Sequence, residues 1–314
     1  MNKTKSIAII IGLSVTVLIS LLGKKANEKE SIIAMDTETS TISQMEVEEE
    51  QIIPTTEKAE SDIGTAIDTN WFLDHVTGID CYTVTQEEID RIGQMDDLLY
   101  LSILINDETI DLTPLSNLGY LKRLEMSFFA DGLDMTFLNG LSSLQYLYIE
   151  GCDSIEDLTF LRHMPALQEV IIKNVADVDL GCFEENRFLK SIHIVGGNIR
   201  NMEGLSELKQ LRSIWLVENT LDRDERQILN LDIMGDLICL ENMRLEYIKV
   251  DNLSPLARLD RLSYIYLKDT GIGDIEPLGR VRNLEEVYIY ETESEQIEKQ
   301  ASIYLKHVAN ITVE

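Results

Sequence analysis

The chain has 314 residues, of which 44% are hydrophobic, with 27 basic and 56 acidic side chains for a formal net charge of −29. That length and apolar content suffice for a large core, while the acidic excess excludes a nucleic-acid partner and, beyond the first 25 residues, adsorption to anionic lipid, since both need clustered Lys and Arg. Four scattered cysteines (Cys81, Cys152, Cys182, Cys239) with no C-x-x-C pair exclude a zinc ribbon, a thioredoxin-type site and a disulfide scaffold, and leave the state of each thiol open.

In chain order, Lys3 and Lys5 precede an uncharged stretch from Ser6 to Gly23, closed by Lys24 and Lys25. As a helix it spans about 27 Å at 1.5 Å per residue, and it exceeds the apolar core of a cleaved leader. No A-x-A site follows. Residues 1–25 are expected to be an N-terminal membrane anchor, with a cleaved signal sequence as the alternative. Either would place the remainder on the extracellular face of the plasma membrane or secrete it.

Residues 26–70 carry 12 acids and 2 lysines, with no sustained apolar period. Such a segment buries too little to offset its ordering entropy, and a disordered acidic stalk is expected, with an r.m.s. reach of about 35–40 Å.

From residue 71 the pattern changes. Trp71-Phe-Leu, Cys81-Tyr-Thr-Val and a helix over Thr85–Met95 read as an N-terminal cap (71–98). Thr85 and Glu88 form a capping box, and Ile89, Ile92 and Met95 give the inward stripe. From Ile89 onward, with the repeats proper at 99–292, apolar residues recur every third position and then switch to spacing two, as in Leu138, Leu141, Leu144, Leu147, Ile149. Ten such final pairs occur: Leu101/Ile103, Leu124/Met126, Leu147/Ile149, Val170/Ile172, Ile192/Ile194, Ile214/Leu216, Met243/Leu245, Ile265/Leu267, Val287/Ile289 and Ile311/Val313. Their spacings are 23, 23, 23, 22, 22, 29, 22, 22 and 24. Tyr247/Ile248 offers a competing alignment in the seventh. The long interval carries Ile228, Leu231 and Met234 at helical spacing, which predicts a turn or more of helix within Leu221–Met234. Residues 293–314 read as a C-terminal cap: an amphipathic helix over Glu293–Val308 (Ile297, Ala301, Leu305, Val308) and a last strand, Asn310–Val313.

A period of 20–29 residues with L-x-x-L-x-L is the leucine-rich repeat pattern. From Ile89 onward the chain resembles that family, and in particular the short-repeat bacterial surface class similar to internalins. Ile110-Asp-Leu-Thr-Pro-Leu115 and Ile272-Gly-Asp-Ile-Glu-Pro-Leu278 look like that class's turn segment. The family's asparagine position holds Asn106 and Asn219 here but Cys152, Gly197, Thr270 and Thr292 elsewhere. The expected fold is an α/β solenoid of about ten coils, with a curved parallel β-sheet on the concave side, mostly 3-10 or extended segments on the convex side, and a cap at each end. No coil buries its apolar wedge alone, so neighbours must stack.

Chemistry is poorly represented. His75, His163, His193 and His307 are far apart, Gly271-Ile-Gly273 lies in a repeat turn, and no P-loop or G-x-S-x-G occurs. Asp177-Val-Asp179 and Asp222-Arg-Asp224 offer too few oxygens for a calcium loop. No enzyme activity, cofactor or metal is expected.

The informative residues alternate with the inward pairs. Seven of the 11 tyrosines and one of the two tryptophans fall on that outward strand face. Tyrosine suits strands for structural reasons, but Tyr, Trp and Arg also dominate binding hot spots. The expected partner-binding residues are Tyr146, Tyr148, His193, Trp215, Tyr264, Tyr266, Tyr288 and Tyr290, with Lys173 and Arg244 as orienting charges. The resulting expectation is a non-catalytic module that recognises a protein, or else a glycan, through an aromatic concave face. The alternatives are an envelope scaffold working through its convex side or caps, and a targeting partner of an enzyme.

Overall fold

The computed structural model describes residues 78–81, 84–129, 132–151, 158–218, 228–291 and 294–314. All of them fall within the unit Asp68–Glu314. The segments 1–25 and 26–70 lie outside the described residues, as do Trp71-Phe-Leu, Cys152, Asn219, Asp222-Arg-Asp224 and Thr292.

Each repeat contributes one strand to a parallel sheet. In chain order the strands are β1 (Gly78–Cys81), β2 (Tyr100–Ile105), β3 (Arg123–Phe128), β4 (Tyr146–Glu150), β5 (Glu169–Asp179), β6 (Ser191–Arg200), β7 (Ser213–Val217), β8 (Ile228–Leu229), β9 (Asn242–Glu246), β10 (Lys249–Val250), β11 (Tyr264–Lys268), β12 (Glu286–Tyr290) and β13 (Asn310–Val313). The main sheet runs β1-β2-β3-β4-β5-β6-β7-β9-β11-β12-β13, and β8 pairs with β10 beside it. The chain thus folds as a leucine-rich repeat solenoid.

The register is continuous. Leu101, Leu124, Leu147, Val170, Ile192, Ile214, Met243, Ile265, Val287 and Ile311 pair in sequence across the sheet. The seventh coil uses Met243/Leu245 and not Tyr247/Ile248. The strand period of two sends these residues into the core and their neighbours to the open face. From Leu124/Met126 to Val287/Ile289 every inward pair is fully buried.

On the opposite side the chain makes short 3-10 turns: Thr113–Asn117, Thr136–Gly140, Thr159–His163, Leu180–Phe183, Met202–Leu205, Asp232–Asp236, Ser254–Arg258 and Glu276–Arg280. Proline opens three of them, where a missing N–H costs nothing. A carboxylate or amide two residues earlier accepts the first free N–H in most. Asp111 binds Thr113 N (2.9 Å), Asp134 Thr136 N (2.9 Å), Asn230 Asp232 N (2.8 Å), Asn252 Ser254 N (2.9 Å) and Asp274 Glu276 N (2.9 Å). Asp179 does the same for Gly181 N (2.8 Å) and also accepts from Asn201 (2.8 Å), so part of the acidic excess is turn chemistry.

The predicted helix in the long coil is not formed over its described part. Ile228–Leu229 is strand, with Ile228 66% exposed, and Asp232–Asp236 is a 3-10 turn. The spacing of three at Leu231, Met234, Leu237 and Leu240 is the repeat's own wedge period, which resembles a helical stripe over so short a stretch.

The chain leaves the sheet face through a left-handed residue in several coils: Gly151 (φ 89°), Asn174 (φ 60°), Gly196 (φ 137°), Tyr247 (φ 58°) and Asp269 (φ 51°). Gly and Asn/Asp tolerate this conformation. At Gly151 space also demands glycine, since a Cβ would stand 2.2 Å from the Phe128 carbonyl oxygen.

At the N-terminal end, helix α1 (Gln86–Ile92) carries the predicted capping box and buries Ile89 and Ile92. At the other end, helix α2 (Ser294–Tyr304) and the turn after it bury Ile297, Ala301, Leu305 and Val308 ahead of β13.

Candidate functional site

The open face of the sheet brings the outward residues into three rows. The middle row reads Glu125, Tyr148, Ile171, His193, Trp215, Arg244, Tyr266, Tyr288 and Thr312, each paired with the next across adjacent strands. Tyr100, Arg123, Tyr146, Glu169, Ser191, Ser213, Asn242, Tyr264 and Glu286 lie on one side, and Glu150, Lys173, Val195, Val217, Glu246, Lys268 and Tyr290 on the other. Every predicted face residue therefore sits on this surface.

They gather in two groups. In the first, on β2 to β5, the Arg123 guanidinium lies 3.8 Å from the Tyr146 ring centroid and 5.9 Å from that of Tyr100. It also donates to Glu125 (2.8 Å). Lys173 stands 5.2 Å from the Tyr148 centroid, donates to the Tyr148 hydroxyl (3.2 Å) and pairs with Glu150 (3.8 Å). The Tyr148 hydroxyl in turn donates to Glu150.

The second group spans β6 to β12. His193 meets Trp215 edge-on at 4.8 Å. Arg244 lies between Trp215 (5.4 Å) and Tyr266 (4.2 Å) and is held by Glu246, which also faces Lys268 (3.9 Å). Tyr266 continues to Tyr288 (6.3 Å) and Tyr290 (5.4 Å), and Tyr264 touches Tyr288 (5.7 Å). Strands about 4.8 Å apart put Trp215 about 14 Å from Tyr148, with Ile171 and His193 between.

Burial shapes the electrostatics. Partial desolvation pushes the phenols of Tyr146 and Tyr264 up to about 12, and Tyr148, which also gives its proton to Glu150, is raised further. These hydroxyls stay protonated and are donors at neutral pH. Desolvation, aided by Lys173 and Arg244, pulls His193 down to about 4, so its imidazole is neutral. Lys173 and Arg244, expected as orienting charges, are already paired with Glu150 and Glu246.

Several contributors were not among the candidates: Tyr100, Arg123, Glu125, Glu150, Glu246, Lys268 and Tyr247. Most were legible as strand neighbours two residues apart, in Arg123-x-Glu125, Tyr148-x-Glu150 and Arg244-x-Glu246. Tyr247 was not, because its place under Lys268 (5.1 Å) depends on its left-handed backbone.

The thiols are unremarkable. Cys81 and Cys239 are free, and burial pushes the Cys81 thiol up to about 11, far from the thiolate form. Among the described residues no helix is long and apolar enough to cross a membrane, and no group of three His, Cys, Asp or Glu side chains is set to hold a metal ion.

No protein-family model and no curated protein matches the chain. Solved structures do. Internalin C2 from Listeria monocytogenes str. 4b F2365 is 21% identical over 64% of this chain and 82% of its own, with a TM-score of 0.47. The ectodomain of the Arabidopsis receptor kinase HAESA, solved with a peptide hormone, is 14% identical over 65% of this chain and 36% of its own (TM-score 0.52). TLR13 in a complex with ssRNA13 is 15% identical over 68% and 35% (TM-score 0.51). At these identities the likeness establishes the leucine-rich repeat fold alone.

Proposed function

We propose that the chain is a non-catalytic binding module that takes a protein partner on the open face of its sheet, centred on Trp215, Arg244 and Tyr266. The observation that carries this reading is the Arg244 guanidinium stacked between two rings and anchored by Glu246 before any partner arrives. Large rings on rigid strands present contact area at little ordering cost, and a cation already fixed loses little further freedom on binding. Each face cation has a carboxylate beside it, so recognition rests on ring area and phenol donors more than on net charge. Within the same proposal, Ser6 to Gly23 anchors or exports the chain, and residues 26–70 hold the module away from the membrane.

The test is capture from cell-surface and envelope extracts by the full chain, beside a Tyr148/Trp215/Tyr266→Ala variant whose unfolding is measured in parallel. A protein retained by the native chain and lost by the still-folded variant supports the reading. Capture of the same set by both sinks it.

A further inference from the structure

The last strand breaks a rule that the interior strands of the sheet obey. Inward pairs from Leu124/Met126 to Val287/Ile289 are sealed by the coils on either side, whereas Ile311 is 40% exposed and Val313 only partly buried. A groove of about 370 Å³ runs along them, lined by Ala301, Leu305, Lys306 and Val308 of the terminal cap. Among the described residues the strand has one neighbour, β12.

The direction of its backbone groups follows from the bonds already made. Asn310 N donates to Glu285 O and Glu314 N to Ile289 O, while Glu291 N donates to Glu314 O. In a parallel strand the N–H and C=O of one residue point the same way and alternate along the chain. Residues 310, 312 and 314 therefore face β12, and the N–H and C=O of Ile311 and Val313 face outward from the edge.

We propose that β13 is a self-complementary docking edge at which a second copy of this chain pairs antiparallel about a two-fold axis through Thr312. Only one register uses all four outward groups of each copy: Ile311 opposite the partner's Val313, twice over, giving four hydrogen bonds. That register also sets Ile311 against Val313 on the apolar side and Asn310 against Glu314 at each end. No like charges meet, and the two Glu314 carboxylates are kept about 14 Å apart along the strands. A parallel arrangement of identical edges cannot close in this way. The contact is small beside the roughly 800 Å² per partner of a standard interface, so the expected dimer is weak and concentration-dependent. It does not rest on the sheet-face reading, because it engages the backbone edge and the inward pair of β13, not the ring cluster of Trp215, Arg244 and Tyr266.

Cross-linking tests it in the full chain, held in one mild non-ionic detergent throughout. In this register the two Thr312 Cα atoms form a non-hydrogen-bonded pair about 4.5 Å apart, within disulfide reach. The two Asn310 are about 14 Å apart and out of reach. Thr312→Cys should give a covalent dimer on mild oxidation, well above wild type, and Asn310→Cys should not. Sedimentation equilibrium should show the wild type dimerising at about 100 μM and Val313→Pro remaining monomeric. That substitution removes an edge-facing N–H and leaves the β12 bonds intact. A wild type monomeric at that concentration, a dimer untouched by Val313→Pro, or equal cross-linking by Asn310→Cys would each overturn the proposal.

Discussion

The guanidinium of Arg244 lies 4.2 Å from the ring centroid of Tyr266, its direct neighbour across β9 and β11. The contact joins two coils 22 residues apart and ties the open face to Glu246, whose side chain is only 5% exposed.

Arg244→Ala should therefore cost stability as well as binding, about 2 kcal/mol, because among the described residues Glu246 would keep only Lys268, at 3.9 Å. Pairing the change with Glu246→Gln should recover part of the loss. Denaturant midpoints of the two single variants and the double one measure the coupling; strictly additive losses would mean that the pair contributes nothing.

Adjacent residues on β7 should behave in opposite ways. Leu216 is fully buried, and Leu216→Ala should cost about 2–5 kcal/mol. Trp215, on the open face, should cost less than half of that when cut to alanine, while removing partner capture. Urea unfolding of both variants checks this, and equal losses would contradict the alternation.

Glu291 closes the last full coil by accepting from Thr270 N (2.7 Å), the Thr270 hydroxyl and Gly271 N (3.1 Å). Thr270 is fully buried. Glu291→Ala should lower stability by about 1–3 kcal/mol and Thr270→Val by less, since the backbone donors keep their acceptor in the second case. Thermal unfolding ranks the two variants, and a reversed order would contradict this account of the turn.

His193 gives a pH signature. Its folded value is pulled from 6.5 to about 4, so between those values the unfolded chain binds the proton more readily. Stability should then fall as pH drops from 6.5 toward 4. His193→Leu should flatten that part of the curve relative to wild type. Denaturation midpoints across the range decide it, and parallel curves would show that the imidazole is not desolvated.

The apolar spacing was enough to place the inward pair of ten strands of the main sheet, though not β1, β8 or β10. Leu147/Ile149 or Ile265/Leu267 can bury only in one phase, and a slip by one would put every wedge residue in water. The capping box at Thr85 and Glu88 and the stripe of α2 were equally local, hence equally legible. The long coil was misread because a spacing of three satisfies both a short helix and the repeat. The turn-capping row from Asp111 to Asp274 is present in the sequence at the coil period, but in an acidic chain nothing local distinguishes a carboxylate that accepts a turn N–H from one that is merely solvated.

The sequence by itself determined the solenoid, its register and which residues reach the open face, because periods of two and about 22 are properties of the chain. Only the tertiary structure decided what those residues do there. Arg123 lies over Tyr146, Lys173 is shared between Tyr148 and Glu150, and Arg244 sits between Trp215 and Tyr266, each pairing made across strands 20 or more residues apart. Whether a cation on a sheet is free or already neutralised depends on its cross-strand neighbours, and whether the apolar pair of β13 is covered depends on what stacks beyond it. Both are relations in space that no local pattern carries.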